Sequence, residues 1–456
     1  MSTISPLSWK ADTGRIRLAE NLDTMSREEI EHLQEHNLIA MVEAAKSSPT
    51  VVEHFPGLTL VANARQIKQL PLMSPDNLAT LCPPHSDKLL MDGQGFGMVL
   101  RSSGTSGRAK VVYHSWSFNR QVSLLGARGV RNALLKSPLK LVNCMQPGEL
   151  NGSFMFCQDI CQLLPALVLP VGSAIHKDEL IKLIIEHEVD TIVGSPAFVV
   201  NLITNSSLIE ASCLSNFLYI GEAIGTKRKR ALQAVAPNLK VRSLAYSSNE
   251  TGPIGYQCLH VDDSTHHIHE DAVLVEIVDE KTGLPVPNGT VGEVVVTPLT
   301  DSGMALFRYR IGDRGYLHNE RCACGSAVRL LTLEGRAGQS INIDTMTISG
   351  DLLMNLLGSL GVNNATDCQF QVLWNDNSVN FEIKLLLCLN IPKEITTEAV
   401  VEVFKTSYHM NRILNNPYLT SFQVERVELE HFAQSSRGKV PLFYQNIQNR
   451  GNLYDI

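Results

Sequence analysis

The sequence predicts an α/β protein. A large N-terminal domain with mostly parallel sheets and a β-rich subdomain is followed by a small α+β C-terminal domain. Three observations carry this expectation. From about 97 to 320, short apolar runs at 98–100, 139–143, 167–171, 191–194 and 217–220 alternate with helical patterns such as 178–188 and 226–235, the pattern of parallel strands joined by helices. After Glu270 the runs at 272–278, 292–297 and 307–310 are separated by turn signals at Gly283 and 287–289, so β structure replaces the alternation. Gly335 and Gly338 then punctuate the chain, and beyond them 370–374, 381–387 and 422–429 read as strands and 398–407 as a helix. The expected domains are 1–337, with its β-rich subdomain at about 258–335, and 338–456.

The length of 456 residues suits two or three domains at about 100–200 residues each. Near the start, Ser26 and Glu29 form a capping box ahead of Ile30, Leu33, Leu38, Ile39, Val42 and Ala45, which predicts an amphipathic helix. Lys and Arg number 39 against 46 Asp and Glu, a net charge of −7 that does not suit a nucleic-acid binder. The local run Lys227-Arg228-Lys229-Arg230 reads as a solvated helix face. No apolar run has the length of a membrane span, and the first residues lack the apolar core of a secretory signal. The expected location is therefore cytoplasmic, without membrane or nucleic-acid partners. The 10 cysteines are too sparse for a disulfide scaffold, so most are expected as small core hydrophobes.

The strongest chemical signal is Arg101-Ser102-Ser103-Gly104-Thr105-Ser106-Gly107-Arg108-Ala109-Lys110, directly after the apolar run at 98–100. Polyphosphate needs converging N–H groups, hydroxyl donors and a cation. Glycines allow close backbone approach, Ser and Thr supply hydroxyls, and Lys110 supplies the charge. The spacing differs from that of the P-loop nucleotide hydrolases. Composition alone also allows a plain Ser/Gly turn. The nearby Gly93-Gln94-Gly95-Phe96-Gly97 reads as a turn.

The stretch 102–110 resembles the phosphate loop of the acyl-adenylate-forming superfamily, the acyl-CoA synthetases and relatives. Four further segments resemble that superfamily's motifs in the right order. They are Tyr246-Ser247-Ser248-Asn249-Glu250-Thr251-Gly252, Tyr309-Arg310-Ile311-Gly312-Asp313, Gly335-Arg336 and Gly438-Lys439. Residues 25–55, Leu70-Pro71-Leu72-Met73, His267-Ile268-His269-Glu270-Asp271 and Cys322-Ala323-Cys324-Gly325 resemble the phenylacetate–CoA ligase-like subfamily. The likeness covers about 25–450.

The resemblance implies that a carboxylic acid is activated by ATP as acyl-AMP, with loss of pyrophosphate, and then passed to a thiol. It implies that Ser102, Ser103, Gly104, Thr105, Ser106 and Gly107 cradle the β- and γ-phosphates, with Lys110 as their cation. Glu250 would hold Mg²⁺. Gly221 and Glu222 would lie on the adenine side, with Tyr246 stacked on the base. Ser247, Ser248, Asn249 and Thr251 complete that motif. Asp313 would accept both ribose hydroxyls, Arg336 would open the hinge, and Lys439 would reach the α-phosphate and the acid. These residue types suit those tasks: carboxylates accept paired hydroxyls and hard cations, and fixed cations neutralise growing phosphate charge. The acyl pocket is expected near 148–156, 194–198 and 245–246, where Phe154, Met155 and Phe156 suit an aryl or hydrophobic acid. The subfamily also implies a structural zinc held by Cys258, Cys322, Cys324 and a histidine. His260, His266 and His269 compete for the fourth place, and His267 is the one that aligns.

Two features depart from the pattern. Gly335-Arg336-Ala337 is followed by Gly338-Gln339 where acidic residues are usual, and Asp344-Thr345 stands where a basic–glycine pair is usual. The resemblance places this loop against the incoming pantetheine once a mobile C-terminal domain has rotated. Adenylation is therefore expected intact, with CoA a poorer acceptor than a carrier-protein thiol or an amine. An acid–amine ligase and a nucleotide-binding pseudoenzyme are the alternatives. The resemblance allows a homodimer.

Overall fold

The computed structural model describes residues 16–446, apart from 92–96, 103–109, 135–138, 149, 205, 222–223, 225, 262–263, 337–339, 344–345, 376–379, 429–430 and 434–440. At 102, 197, 211, 226–228 and 336 it describes the backbone only.

The chain is α/β, with a large N-terminal and a small C-terminal domain. The capping box closes as expected. Ser26 Oγ accepts from Glu29 N, Glu29 reaches back to Ser26 N, and the helix Arg27–Lys46 follows. A five-stranded, wholly parallel sheet runs in the order Ala166–Pro170, Leu139–Asn143, Thr191–Gly194, Asn216–Tyr219, Lys240–Ser243. Its central strands are almost wholly buried, as strands covered on both faces must be. The helices Trp116–Ala133 and Ser153–Gln162 pack on each other, close enough that a side chain at Gly126 would meet Ile160 and Phe156.

The second sheet is antiparallel and has seven strands, in the order Val273–Val278, Gly292–Pro298, Tyr309–Leu317, Leu330–Arg336, Thr265–Ile268, Gly252–Tyr256, Tyr246–Ser248. It begins at Tyr246, earlier than the 258 expected for the β-rich region. Two local readings change. The run at 98–100 is no parallel strand: Gly97–Ser102 pairs antiparallel with Lys110–Ser115. The short connection between those two strands cannot hold the dozen or more residues of a parallel crossover. The strand expected at 307 begins at Tyr309, because Arg308 has φ 49° and breaks the extended run. Its guanidinium is fixed by both oxygens of Glu276, at 3.0 and 3.1 Å, and by the carbonyls of Lys68 and Leu70.

A charged clamp docks the N-terminal segment on this sheet. Glu270 takes Arg27 at 2.6 and 2.9 Å and Arg329 Nε at 2.6 Å. Asp271 takes Arg128 at 2.8 and 2.6 Å and accepts from Ala19 N at 2.8 Å.

The C-terminal part opens with the hairpin Ser340–Ile343/Met346–Ser349 and continues into a four-stranded mixed sheet. The apolar residues from Ile341 to Phe443 form a core cluster of their own. Cys82, Cys144, Cys157 and Cys368 are buried apolar thiols, as expected. Among the described residues no helix is long and apolar enough to cross a membrane.

Candidate active site

The hairpin Gly97–Ser102/Lys110–Ser115, the turn after Tyr246, Asp313 and the C-terminal hairpin enclose a cavity of about 280 Å³. Lys110 opens its strand directly after the phosphate-loop residues. Its Nζ forms an ion pair with Glu250 Oε1 and donates to Tyr309 Oη at 2.9 Å. Tyr309 Oη in turn donates to Glu250 Oε1 at 3.3 Å. The three are almost sealed from solvent, at 6%, 4% and 0% exposure for Lys110, Glu250 and Tyr309. A lysine and a carboxylate can be buried together because each neutralises the other and a phenol satisfies both. No sequence signal marks Tyr309 beyond its motif, and three segments more than 50 residues apart meet at it.

Ser247, Ser248, Asn249 and Glu250 lie on the cavity wall. Their turn is tied by Ser248 Oγ, which accepts from Thr251 N at 3.1 Å and lies 3.0 Å from Thr251 Oγ1. Thr251 itself is buried beneath the turn, off the cavity wall. Asn249 Nδ2 donates to Arg101 O at 3.1 Å, and Asn249 O faces His114 Nε2 at 2.5 Å. Gly252 sits at φ 71° against Phe118 and Val122, where a side chain would be both strained and crowded. Tyr246 Oη donates to Asp313 Oδ2 at 2.8 Å, so the two residues expected at adenine and ribose are partners. Asp313 lines the cavity, as does Gly221 at φ 94°. In the antiparallel sheet, Asp313 stands opposite the backbone of Arg336.

The side chain of Ser102 and residues Ser103, Gly104, Thr105, Ser106, Gly107, Glu222, Gly438 and Lys439 lie outside the described residues, as do Gly338, Gln339, Asp344, Thr345 and the side chain of Arg336. Of the expected acyl pocket, Met155 and Phe156 reach the wall, while Phe154 packs into the core beside the parallel sheet. Helix phase explains this: Gly152, Met155, Phe156 and Asp159 share one face at spacings of three, four and seven. Residues 194–198 are off the wall; a side chain at Gly194 would meet Val199 instead.

The C-terminal domain closes the cavity with Asn342, Met346, Thr347 and Tyr408. The Tyr408 ring lies 4.1 Å from the Arg101 guanidinium, and Arg412 donates to Gln146 Oε1 at 2.8 Å. No sequence signal marked Tyr408, Arg412, His114 or Asn119.

A second cluster lies at the edge of the antiparallel sheet. The ligand atoms of Cys258, His267, Cys322 and Cys324 all lie within 4.8 Å of one another. Cys258 and Cys322 Sγ are 3.6 Å apart, as are Cys324 Sγ and His267 Nε2. The competing histidines go elsewhere. His260 is exposed. His266 bonds Ser264 O and packs on Tyr246. His269 Nδ1 lies 3.1 Å from Arg128. Burial pushes His267 down to about 4, so its imidazole is neutral. Burial also pushes the three thiols above their ordinary value.

Residues 98–298 match the AMP-binding enzyme family. A phenylacetate-coenzyme A ligase of Thermus thermophilus is 25% identical over 338 residues, which are 71% of this chain and 74% of the relative. Another from Aromatoleum evansii is 24% identical over 238 residues, 49% of this chain and 53% of that one. A solved structure of 2-hydroxyisobutyryl-CoA ligase with 2-HIB-AMP and CoA in the thioesterification state superposes with TM-score 0.73 at 18% identity, over 94% of this chain and 92% of that one. The same enzyme in the postadenylation state gives 0.60 at 16% identity, over 93% and 91%. At these identities the structural likeness is one of fold. With the family match and the relatives, it makes this chain an AMP-forming ligase of the adenylate-forming superfamily. The relatives it resembles within that superfamily are phenylacetate-coenzyme A ligases.

Proposed function

We propose that the chain joins a hydrophobic carboxylic acid to the α-phosphorus of ATP, releases pyrophosphate, and passes the acyl group from acyl-AMP to the thiol of CoA. The observation that carries this is the buried Lys110–Glu250–Tyr309 group on a cavity that also presents Asp313 and Ser247–Asn249. Lys110 sets a fixed positive charge beside the phosphate-loop residues. Asp313 offers a carboxylate to the ribose hydroxyls, and its bond from Tyr246 fixes both groups before nucleotide arrives. Preorganised groups of this kind act without reorganisation as charge develops. Lys439 is assigned to the α-phosphate and the attacking carboxylate, and Ser102 to Gly107 to the outer phosphates. The boundary between the two domains is assigned at 337/338.

Glu250 has the chemistry of a Mg²⁺ ligand, and its ion pair with Lys110 holds it in place. When bound, the cation would neutralise the pyrophosphate leaving group. Zinc suits the second cluster. A tetrahedron with bonds of about 2.3 Å has edges of about 3.8 Å, close to the 3.6 Å separations present. Zinc there would brace the fold at a distance from the reaction.

CoA as acceptor, rather than the carrier thiol or amine expected from the atypical loop, is supported by three things. The matched relatives are CoA ligases. The hairpin carrying Asn342, Met346 and Thr347 already faces the cavity, and the fold superposes better on the thioesterification state. The reading is tested by ATP–pyrophosphate exchange over a panel of acids, with Lys439→Ala as comparison. Exchange should depend on the acid and fall by about 10²–10³ in the variant. Exchange unchanged in Lys439→Ala would remove that residue's role.

A further inference from the structure

A glycine inside a helix costs about 1 kcal/mol against alanine. Where the backbone is ordinary helix, such a glycine needs a reason in its packing. Gly126 is a residue of this kind. It sits within the helix Trp116–Ala133, and its φ lies outside the left-handed region that favours glycine. The reason lies on the neighbouring helix. A Cβ at 126 would stand 2.7 Å from Phe156 Cζ and would also overlap the end of the Ile160 side chain. The missing side chain is what lets Ser153–Gln162 come this close.

The place of this contact gives it a use. On the first helix Asn119, Val122 and Ser123 line the cavity. Gly126 follows them on the same face, at spacings of seven, four and three. The lining stripe therefore ends where Gly126 meets the second helix. From Asn119 to Gly126 is about 10 Å of helix, the reach of a phenylalkyl group or a medium-length chain. Phe156 closes that end. It is half-buried, it borders the cavity, and the tip of its ring lies over Gly126. Ile160 is 2% exposed and enclosed by the core around Ala127 and Val130. A close-packed core yields little, whereas Phe156 has the cavity beside it. A side chain at 126 is therefore accommodated by moving Phe156 into the cavity.

Resting on the acid-activating reading above, we propose that Gly126 is a positioning residue for acyl selectivity: by seating Phe156 it sets the depth of the acyl pocket. Phe156 is the floor on which the far end of the acid's hydrocarbon, aryl or medium-length aliphatic, comes to rest. Selection is then by length. One methylene in a hydrophobic pocket discriminates by about 10–200-fold. A floor raised by one methyl group is therefore felt by the longest accepted acids and spares the short ones, which do not reach it.

The test measures kcat/KM in ATP–pyrophosphate exchange over two series, straight-chain acids from butanoate to decanoate and phenyl acids from benzoate to 4-phenylbutanoate. The wild type should show a length beyond which use falls steeply. Gly126→Ala should move that limit to a shorter acid and lower the long-to-short ratio by about tenfold or more. Phe156→Ala should move it to a longer acid. Phe156→Leu in the Gly126→Ala background should carry the limit back towards the wild type. Thermal melts follow the fold separately, and a merely structural role would not move the limit. An equal loss for every acid in Gly126→Ala overturns the proposal, as does an unchanged limit in that variant. An unchanged limit in Phe156→Ala overturns it too, and this variant decides the matter if Gly126→Ala does not fold. Exchange by the wild type with none of these acids overturns the acid-activating reading itself. Exchange without any length limit is a distinct result and overturns only the proposal.

Discussion

Lys110 and Glu250 are each other's counter-charge in a space that admits almost no water, and Tyr309 bridges them. Removing one charge strands the other. Glu250→Gln should cost about 3–5 kcal/mol of stability, read from denaturant melts, and should abolish pyrophosphate exchange. Tyr309→Phe removes only a bridging hydroxyl and should cost about 1 kcal/mol. A Glu250→Gln protein of undiminished stability would mean that Lys110 finds another partner. With Asp313 proposed to take the ribose hydroxyls, Asp313→Ala should weaken ATP binding by about 1.5–3 kcal/mol for each charged hydrogen bond lost. Tyr246→Phe, which removes only the internal donor to Asp313, should leave ATP affinity nearly intact. Titration calorimetry separates the two, and equal losses would assign Asp313 to holding Tyr246 rather than nucleotide.

At the scale of elements, the strand Thr265–Ile268 and the residues just after it sort four neighbours to four tasks. His267 turns to the cysteines, His269 to Arg128, Glu270 to Arg27 and Arg329, and Asp271 to Arg128 and the N-terminal segment. The cysteine–histidine cluster and the clamp therefore share one stretch of backbone. Purified protein should hold about one equivalent of zinc by elemental analysis. Cys322→Ser or Cys324→Ser should lose it and speed proteolysis of the 258–325 region. A stable, metal-free protein would rule the zinc out. The pH dependence has a definite sign. Burial raises the thiols, so the metal-free cluster holds protons at neutral pH and releases them on binding the cation. Zinc should accordingly be lost to a chelator more readily at pH 6 than at pH 8; the reverse order would contradict thiolate ligation.

The same scale shows what the sequence could and could not reveal. The C-x-C spacing marked Cys322 and Cys324, the resemblance added Cys258 and His267, and the structure brings the four together. The structure adds that alternation along the strand sends His266 to the other face. Apolar composition does not report helix phase, which turns Met155 and Phe156 to the cavity and Phe154 to the core. The antiparallel hairpin was hidden because its strand at 98–100 looks like any buried strand until its partner is known. His114 carried no signal, since its partner is the carbonyl of Asn249, more than 100 residues later in the chain.

For the whole molecule, the site is divided between two cores: the N-terminal sheets supply Lys110, Glu250 and Asp313, and the C-terminal domain supplies Asn342, Met346, Thr347 and Tyr408. The contact of Arg101 with Tyr408 spans that division. Tyr408→Ala should slow acyl transfer to CoA while pyrophosphate exchange stays within about threefold, because only the step that uses this arrangement loses binding energy. Equal loss in both half-reactions would mean that the contact serves the fold. The overall architecture was legible because alternation, turn signals and ordered motifs agree over most of the chain. The docking of the two parts was not, because a cation–aromatic contact across domains leaves no local pattern. The most direct measurement is of products: the enzyme, ATP, an accepted acid and CoA are incubated together and every product is quantified by mass spectrometry. AMP, pyrophosphate and acyl-CoA should form in equal amounts, with acyl-AMP accumulating on the enzyme when CoA is withheld. ADP and phosphate in place of AMP and pyrophosphate, or acyl-CoA formed with no acyl-AMP on the way, would contradict the reading.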